Sequence, residues 1–477
     1  MPKKMRIWIL SGSLFFVFCG LAGPAAAENE LQVLTLQQAI ETAVANNLQR
    51  KLAAEDLAIA KDKLAQAKSG YLPKLTLNAG YNRYNEVPTD VQLGNQLIEA
   101  NNGLKEWAQK SAAVAPSLGL SSLVPILRGL DQELSFRDKL DESLDYYGFT
   151  LVLEQPLYTG NKLTAINKQA KANEGYAGAN LKAADNNLVY EVKKSYYTVI
   201  SAQQYVKTME EAVNSMEKHL KEADAYYRAG MVPKLDVMRA EVKMADLRQK
   251  LLMARNGLVM SKMALNFVIG VELDRDYQVV DTIKYGPFNL DLQACQERAL
   301  ANRPEIVAIN ARVEMAKENA EIVKSAGKPV VAFRAENQHI NPYNPGPSLQ
   351  VGVVASMKIY DGGQVKSQVA EAEALLNQAE IARELTNRAV RLEVEQAYRN
   401  LQAALETIEV AKRSLDQAQE TVHMADVSYK AGLSTSLERI DAEVGLTQAK
   451  TNYTQALSLY NIALAQLEKA MGQSKEE

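Results

Sequence analysis

The sequence predicts an α+β membrane protein made by internal duplication, with very long helices and four β-strands per chain. Three observations predict it: a long internal repeat, two proline-free helical stretches, and a strand-like segment that alternates apolar and polar residues.

The repeat decides the organisation. TLQQAIETAVANN (35–47) matches DLQACQERALANR (291–303) at an offset of 256, with Leu36 over Leu292 and Asn46 over Asn302. Further on the offset is 202, without a gap: Tyr158 and Gly160 over Tyr360 and Gly362, Glu191 and Tyr196 over Glu393 and Tyr398, YRAGMVPKLDVMRAE (227–241) over YKAGLSTSLERIDAE (429–443). Residues 28–272 and 290–474 are therefore two copies of one unit, joined by a linker over 273–289. The first copy is longer by 54 residues (256 minus 202), and the excess falls in an insertion at about 85–146.

Each unit reads as a helix of about 35 residues (35–70 and 291–326), two strands, a long helix and a return helix. The strands are expected at about 74–84 and 147–158, then 329–340 and 348–360. Each pair closes on a Gly turn, YTGN or YDGG. The long helices cover 161–228 and 363–430, and at 1.5 Å per residue each would be a rod of about 100 Å. Periodic helices of that length imply a coiled coil or a helical barrel. An AGM or AGL break then leads into a return helix over 234–268 or 436–470.

Four strands are too few to close a barrel. Yet Leu349, Val351, Val353, Ala355, Met357 and Ile359 alternate with Gln350, Gly352, Ser356 and Lys358, broken only by Val354, so that one face is apolar and the other mostly polar, as lipid-facing barrel strands require. Tyr81, Tyr84, Tyr146, Tyr147, Phe149 and Tyr343 fall near strand ends, where an aromatic girdle sits. Strands from several chains would close one barrel; the alternative is two hairpins packed on a soluble sheet.

At the N-terminus, Lys3, Lys4 and Arg6 precede the apolar run ILSGSLFFVFCGLAG and the exit PAAAENE. This is a secretory signal over 1–27, cut after Ala27. Phe18 before Cys19 does not suit lipoprotein processing, which argues against lipid attachment. Removing the signal takes three positive charges from a chain of net charge −3 and leaves −6. A mildly acidic chain is a poor nucleic-acid binder. Cys295 then stands alone, without a disulfide partner, and reads as a small buried hydrophobe. His219, His339 and His423 have no metal-ligand spacing, and no P-loop, dinucleotide fingerprint or nucleophile elbow is present, so no enzyme and no cofactor is expected.

With these residues in place the chain resembles the TolC family of outer-membrane channel proteins. IYDGGQVKSQVAEAEALL and QPLYTGNKLTAINKQAKA look like the family's strand-to-long-helix junctions, placing Gly160, Gly362 and Gly363 there. Y-x-A-G-x-x-x-x-[LD] at 227 and 429 resembles its periplasmic hairpin turn. The resemblance implies a homotrimer with a 12-stranded barrel in outer-membrane lipid and a helical barrel reaching into the periplasm. It implies a passive efflux duct for drugs or small molecules, served by a periplasmic adaptor and an inner-membrane transporter of RND, ABC or MFS type. A duct for type I protein secretion and a pore-less periplasmic scaffold are the alternatives.

The resemblance further implies acidic rings at a periplasmic constriction, falling on Glu438 and Asp441, with Asp236 and Arg239 at the first-copy positions. It gives adaptor contact to the turns at Gly230, Met231, Gly432 and Leu433; Ala229 and Ala431 stand where the family commonly has Val. Read from the residues alone, Glu438 closes a capping box with Thr435, whereas Asp441 lies nearly a turn too far in to cap. In the insertion, NQLIEANNGLKEWAQKSAA could form a helix with Trp107 as a packing anchor. It is a variable surface loop or, functionally, a lid or receptor site outside the cell.

Overall fold

The computed structural model describes residues 33–83, 85–86, 89–133, 145–279, 283, 285–286, 288–341 and 348–473. The signal over 1–27, and the girdle positions Tyr84 and Tyr343, lie outside the described residues.

The first repeat contains β1 (Val33–Leu34), α1 (Leu36–Asn46), α2 (Leu48–Ser69), β2 (Lys74–Arg83), α3 (Thr89–Val114), α4 (Val124–Glu133), β3 (Asp145–Tyr158), α5 (Lys162–Arg228) and α6 (Lys234–Ile269). After β4 (Gln278–Val279) come α7 (Leu292–Asn302), α8 (Pro304–Ser325), β5 (Val330–Asn341), β6 (Ser348–Ser356), α9 (Gln364–Lys430) and α10 (Ser436–Ala470). Among the described residues, no helix is long and apolar enough to cross a membrane.

Three expectations are corrected. The opening helix of each repeat is two helices, split at Asn47 and Arg303. Arg303 precedes Pro304, which pushes it to an extended conformation (φ −66°, ψ 127°). Asn47 reaches the same geometry (φ −60°, ψ 127°) without a proline, because its side chain caps α2, accepting from Arg50 N–H at 3.1 Å, while its amide donates to the Val268 carbonyl at 2.9 Å. Secondly, the strand expected over 348–360 stops at Ser356. Ser356 pairs with Val330, and the next partner would be Pro329, which has no N–H to donate. Thirdly, the insertion holds α3 and α4 packed on each other, and Trp107 is not an anchor but 61% exposed.

The linker is tied down. β4 pairs in parallel with β1, Val33 against Gln278 and Leu34 against Val279. The main sheet is antiparallel in the order β2–β3–β5–β6, with a register shift at Pro156 where a ladder donor is missing.

The helices follow the same order. Near the sheet they pack as α2–α5–α8–α9; beyond the α1/α2 and α7/α8 breaks they pack as α6–α5–α10–α9. α5 and α9, 67 residues each, run the whole way. The chain is thus a long strip four elements wide. One edge is β2, α2 and α6; the other is β6 and α9.

The two copies share one core design. Val192, Leu265 and Ile269 close over Ala39 and Ala43 in the first; Val394, Leu467 and Met471 close over Cys295 and Ala299 in the second. Cys295 thus fills the place of Ala39, and burial pushes its thiol pKa up, keeping it protonated. The return helices end beside these cores on Gly270 (φ +73°) and Gly472 (φ +79°), each pressed on the backbone of the α1/α2 or α7/α8 break.

Candidate functional site: the helix-turn tips

Both hairpin turns are built alike. Gly230 and Gly432 have φ +73° and +72°. In the first turn Met231 N–H donates to Tyr226 O and Gly230 N–H to Tyr227 O, both at 2.9 Å; in the second Leu433 N–H donates to Ser428 O at 2.8 Å and Gly432 N–H to Tyr429 O at 3.0 Å. These are Schellman closures, which need a left-handed residue and so favour glycine. They leave Met231 and Leu433, 71% and 84% exposed, as apolar points at the extremity of the strip. At the other end of the long helices, Gly160 (φ +62°) and Asn161 (φ +76°) make the entry to α5, and Gly362 (φ +67°) and Gly363 (φ +89°) the entry to α9.

The return helices start differently. Thr435 caps α10 in a capping box: Glu438 N–H donates to Thr435 Oγ1 at 3.3 Å and Thr435 N–H to Glu438 Oε2 at 2.8 Å. Pro233 occupies the cap position of α6, with no side-chain cap. Glu438 and Asp441 line one open groove between α9 and α10, with Thr421, Met424, Ser434 and Gly445. Asp236 is not part of it. Its carboxylate is largely covered and lies 3.9 Å from Arg239.

Behind that groove lies a polar cluster that sequence reasoning missed. Arg439, 7% exposed, reaches Glu222 on α5 and Asp426 on α9, the latter at 2.8 Å. Its guanidinium lies 5.4 Å from the centre of the Tyr429 ring. His219 on α5, 2% exposed, hydrogen-bonds Ser436 Oγ at 2.9 Å and meets the Tyr429 ring edge-on at 5.3 Å. α5 belongs to the first hairpin, α9 and α10 to the second, so the cluster joins them. A signal was available: Arg439 stands over Val237 at the offset of 202, a cation where the twin has an aliphatic side chain.

The electrostatics follow from burial. Desolvation, helped by the Arg439 charge, lowers the His219 pKa from its usual 6.5 to about 4, against the pull of Glu222 and Asp426. Burial works to raise the Asp426 carboxyl, but Lys430 and Arg439 more than offset it and hold it below the usual range. Burial and the nearby Asp236 charge raise the Tyr429 phenol.

His219 makes the tip acid-sensitive. Its folded pKa lies below its unfolded one, so the unfolded chain takes the proton first. Its contribution is complete above about pH 6.5 and is lost as pH falls towards 4, by up to about 3 kcal/mol. His219→Gln should flatten that part of the stability–pH curve, measured as tip proteolysis between pH 7 and 4.5.

The family model described as outer membrane efflux protein matches residues 39–271 and 296–473, nearly all of both repeats. The chain belongs to the outer membrane efflux protein family. It is 22% identical over 415 residues to outer membrane protein TolC of Vibrio cholerae, spanning 83% of this chain and 90% of that protein. It is 23% identical over 313 residues to the outer membrane efflux protein BepC of Brucella suis, spanning 64% and 67%. Among solved structures, VceC of Vibrio cholerae superposes with a TM-score of 0.71 at 18% identity, covering 92% of this chain and 96% of that one. The efflux family is one of channel proteins of the outer membrane, extending into the periplasm.

Proposed function

We propose that three copies join edge to edge into a homotrimer: a 12-stranded outer-membrane barrel continued by a helical barrel into the periplasm. The closed tube is a passive exit duct for drugs or small molecules. One observation carries this reading. Among the described residues, β2 and β6 each have one side without a strand partner, and the edge helices carry exposed apolar side chains, Leu252 and Phe267 on α6 and Leu385 and Leu392 on α9. Unpaired strand edges and apolar stripes of this extent demand a partner, and another copy supplies matching lengths of sheet and helix. A periplasmic adaptor and an inner-membrane transporter of RND, ABC or MFS type would complete the system. Met231 and Leu433 at the turns are the adaptor contacts.

Light scattering on detergent-extracted outer membranes should give three chains per particle, and deleting the gene should raise drug accumulation. A monomer released by osmotic shock overturns the duct.

In the trimer the groove acids would stand around the axis at the narrow end, six carboxylates in all. Crowded like charges resist ionisation and attract cations. The geometry divides the pair: Glu438 is committed to its cap, and Asp441 is not. Asp441→Asn should cut cation preference severalfold in planar bilayers without lowering stability. Glu438→Ala should instead cost about 1 kcal/mol of helix stability. Unchanged selectivity in Asp441→Asn removes the ring.

A further inference from the structure

The insertion carries a second interaction surface. α3 packs on α4, and its Ala108 and Ala112 are buried. The same helix carries a longer apolar stripe that begins beside that face and winds away from it: Leu93, Leu97, Ala100, Leu104, Trp107 and Val114. Its large members are exposed; Leu104 is 56% and Trp107 61% accessible. Their spacing runs four, three, four, three and then seven, and the seven splits into four and three at Ser111. Apolar residues alternating at four and three are the seam of a coiled coil, not of a helix lying on a sheet. Over 93–114 that seam is about 33 Å long.

Position names the occupant. α2, α5, α8 and α9 all join the sheet at one end, whereas α3 and α4 are inserted between β2 and β3 at the other. β2 is an edge strand, so α3 leaves the sheet beside the seam where the next copy pairs. Charge disfavours the anionic surface of a membrane as the alternative: Asp90, Glu99 and Glu106 outnumber Lys105 and Lys110 on α3. Copies related by a rotation axis present the same face at the same height and run parallel.

We propose that the α3 helices of the three copies pair through this stripe as a parallel three-helix coil standing across the outer mouth. The inference rests on the trimer proposed above. The coil is a lid made of the subunits themselves, anchored by the same rotation axis as the barrel.

The test places one cysteine in full-length protein in outer membranes, as Leu104→Cys or, separately, Val114→Cys on the stripe, and Asn102→Cys on the opposite side of α3. Cys295 is buried and stays silent. Mild oxidation should link pairs of chains at Leu104→Cys and Val114→Cys at least about fivefold more than at Asn102→Cys. It should also lower single-channel conductance, and reduction should restore it. Light scattering on the same samples separates the two readings. Trimers that do not link at either stripe position, or link equally at Asn102→Cys, overturn the coil and leave the trimer standing. Particles that are monomeric overturn both.

Discussion

Replacing Arg439 by leucine should loosen the helix-turn tips and, in the duct proposed above, raise single-channel conductance severalfold and sensitise cells to bulky antibiotics. Arg439 is the one side chain that touches Glu222 on the first hairpin and Asp426 on the second through a single guanidinium, among the described residues. Breaking a buried pair by removing one partner typically costs about 3–5 kcal/mol. Here Glu222 and Asp426 keep 37% and 29% side-chain exposure, so water screens part of that and about 1–3 kcal/mol is the fitting scale. The loss is directed. Glu222 and Asp426 on opposing hairpins then lose the cation they share; Asp426 keeps Lys430 at 2.7 Å, but nothing ties it to Glu222, and the hairpins part. A triple replacement with Glu222→Gln, Asp426→Asn and Arg439→Met removes the repulsion too, and should recover stability while remaining easier to open. Native-like conductance in Arg439→Leu would show that the cluster does not hold the tip.

Gly270→Ala and Gly472→Ala should be strongly damaging, and Gly230→Ala and Gly432→Ala should be mild. All four glycines have φ between +72° and +79°. The left-handed conformation alone costs an alanine about 1–2 kcal/mol. Surroundings separate them. A Cβ on Gly230 or Gly432 meets nothing within 4 Å. On Gly270 it falls 2.9 Å from the Asn46 carbonyl carbon, and on Gly472 2.9 Å from the Arg303 nitrogen, both backbone that cannot swing aside. The return helix must then lift away from the break, uncovering Leu265 and Ile269, or Leu467 and Met471. A further loss of about 2–4 kcal/mol per site follows from overpacking and lost burial. Thermal unfolding of the purified protein should rank the four in that order; equal losses would mean that the break and the return helix do not bear on one another.

Much of this was legible in the chain because a repeat supplies its own control. The long rods, the Gly turns and the Thr435–Glu438 cap follow from local pattern and from seeing each pattern twice. The break at Arg303 was also within reach, since Pro304 follows it. The break at Asn47 was fainter: its cap on Arg50 is local, but the hydrogen bond that also holds the side chain goes to Val268, 221 residues away. The tip cluster showed only as a cation, Arg439, over Val237 of the twin. Arg439 reads as a solvated charge on an exposed turn until α5 brings Glu222 and His219 against it. Trp107 misled in the other direction: an aromatic in an amphipathic helix suggests an intrachain core, yet it stands 61% exposed.

The shared order of sheet and helices has a consequence for growth. The edge formed by β2, α2 and α6 is a different surface from the edge formed by β6 and α9. When the left side of one molecule joins the right side of the next, as in the trimer proposed above, the copies are laid side by side like staves, always facing the same way. Such a row has no internal reason to stop. The bend across each stave, and not the strength of its adhesive, sets the number at which the last meets the first. A stave planed smooth along one side would still join at the other, and would leave the vessel unfinished.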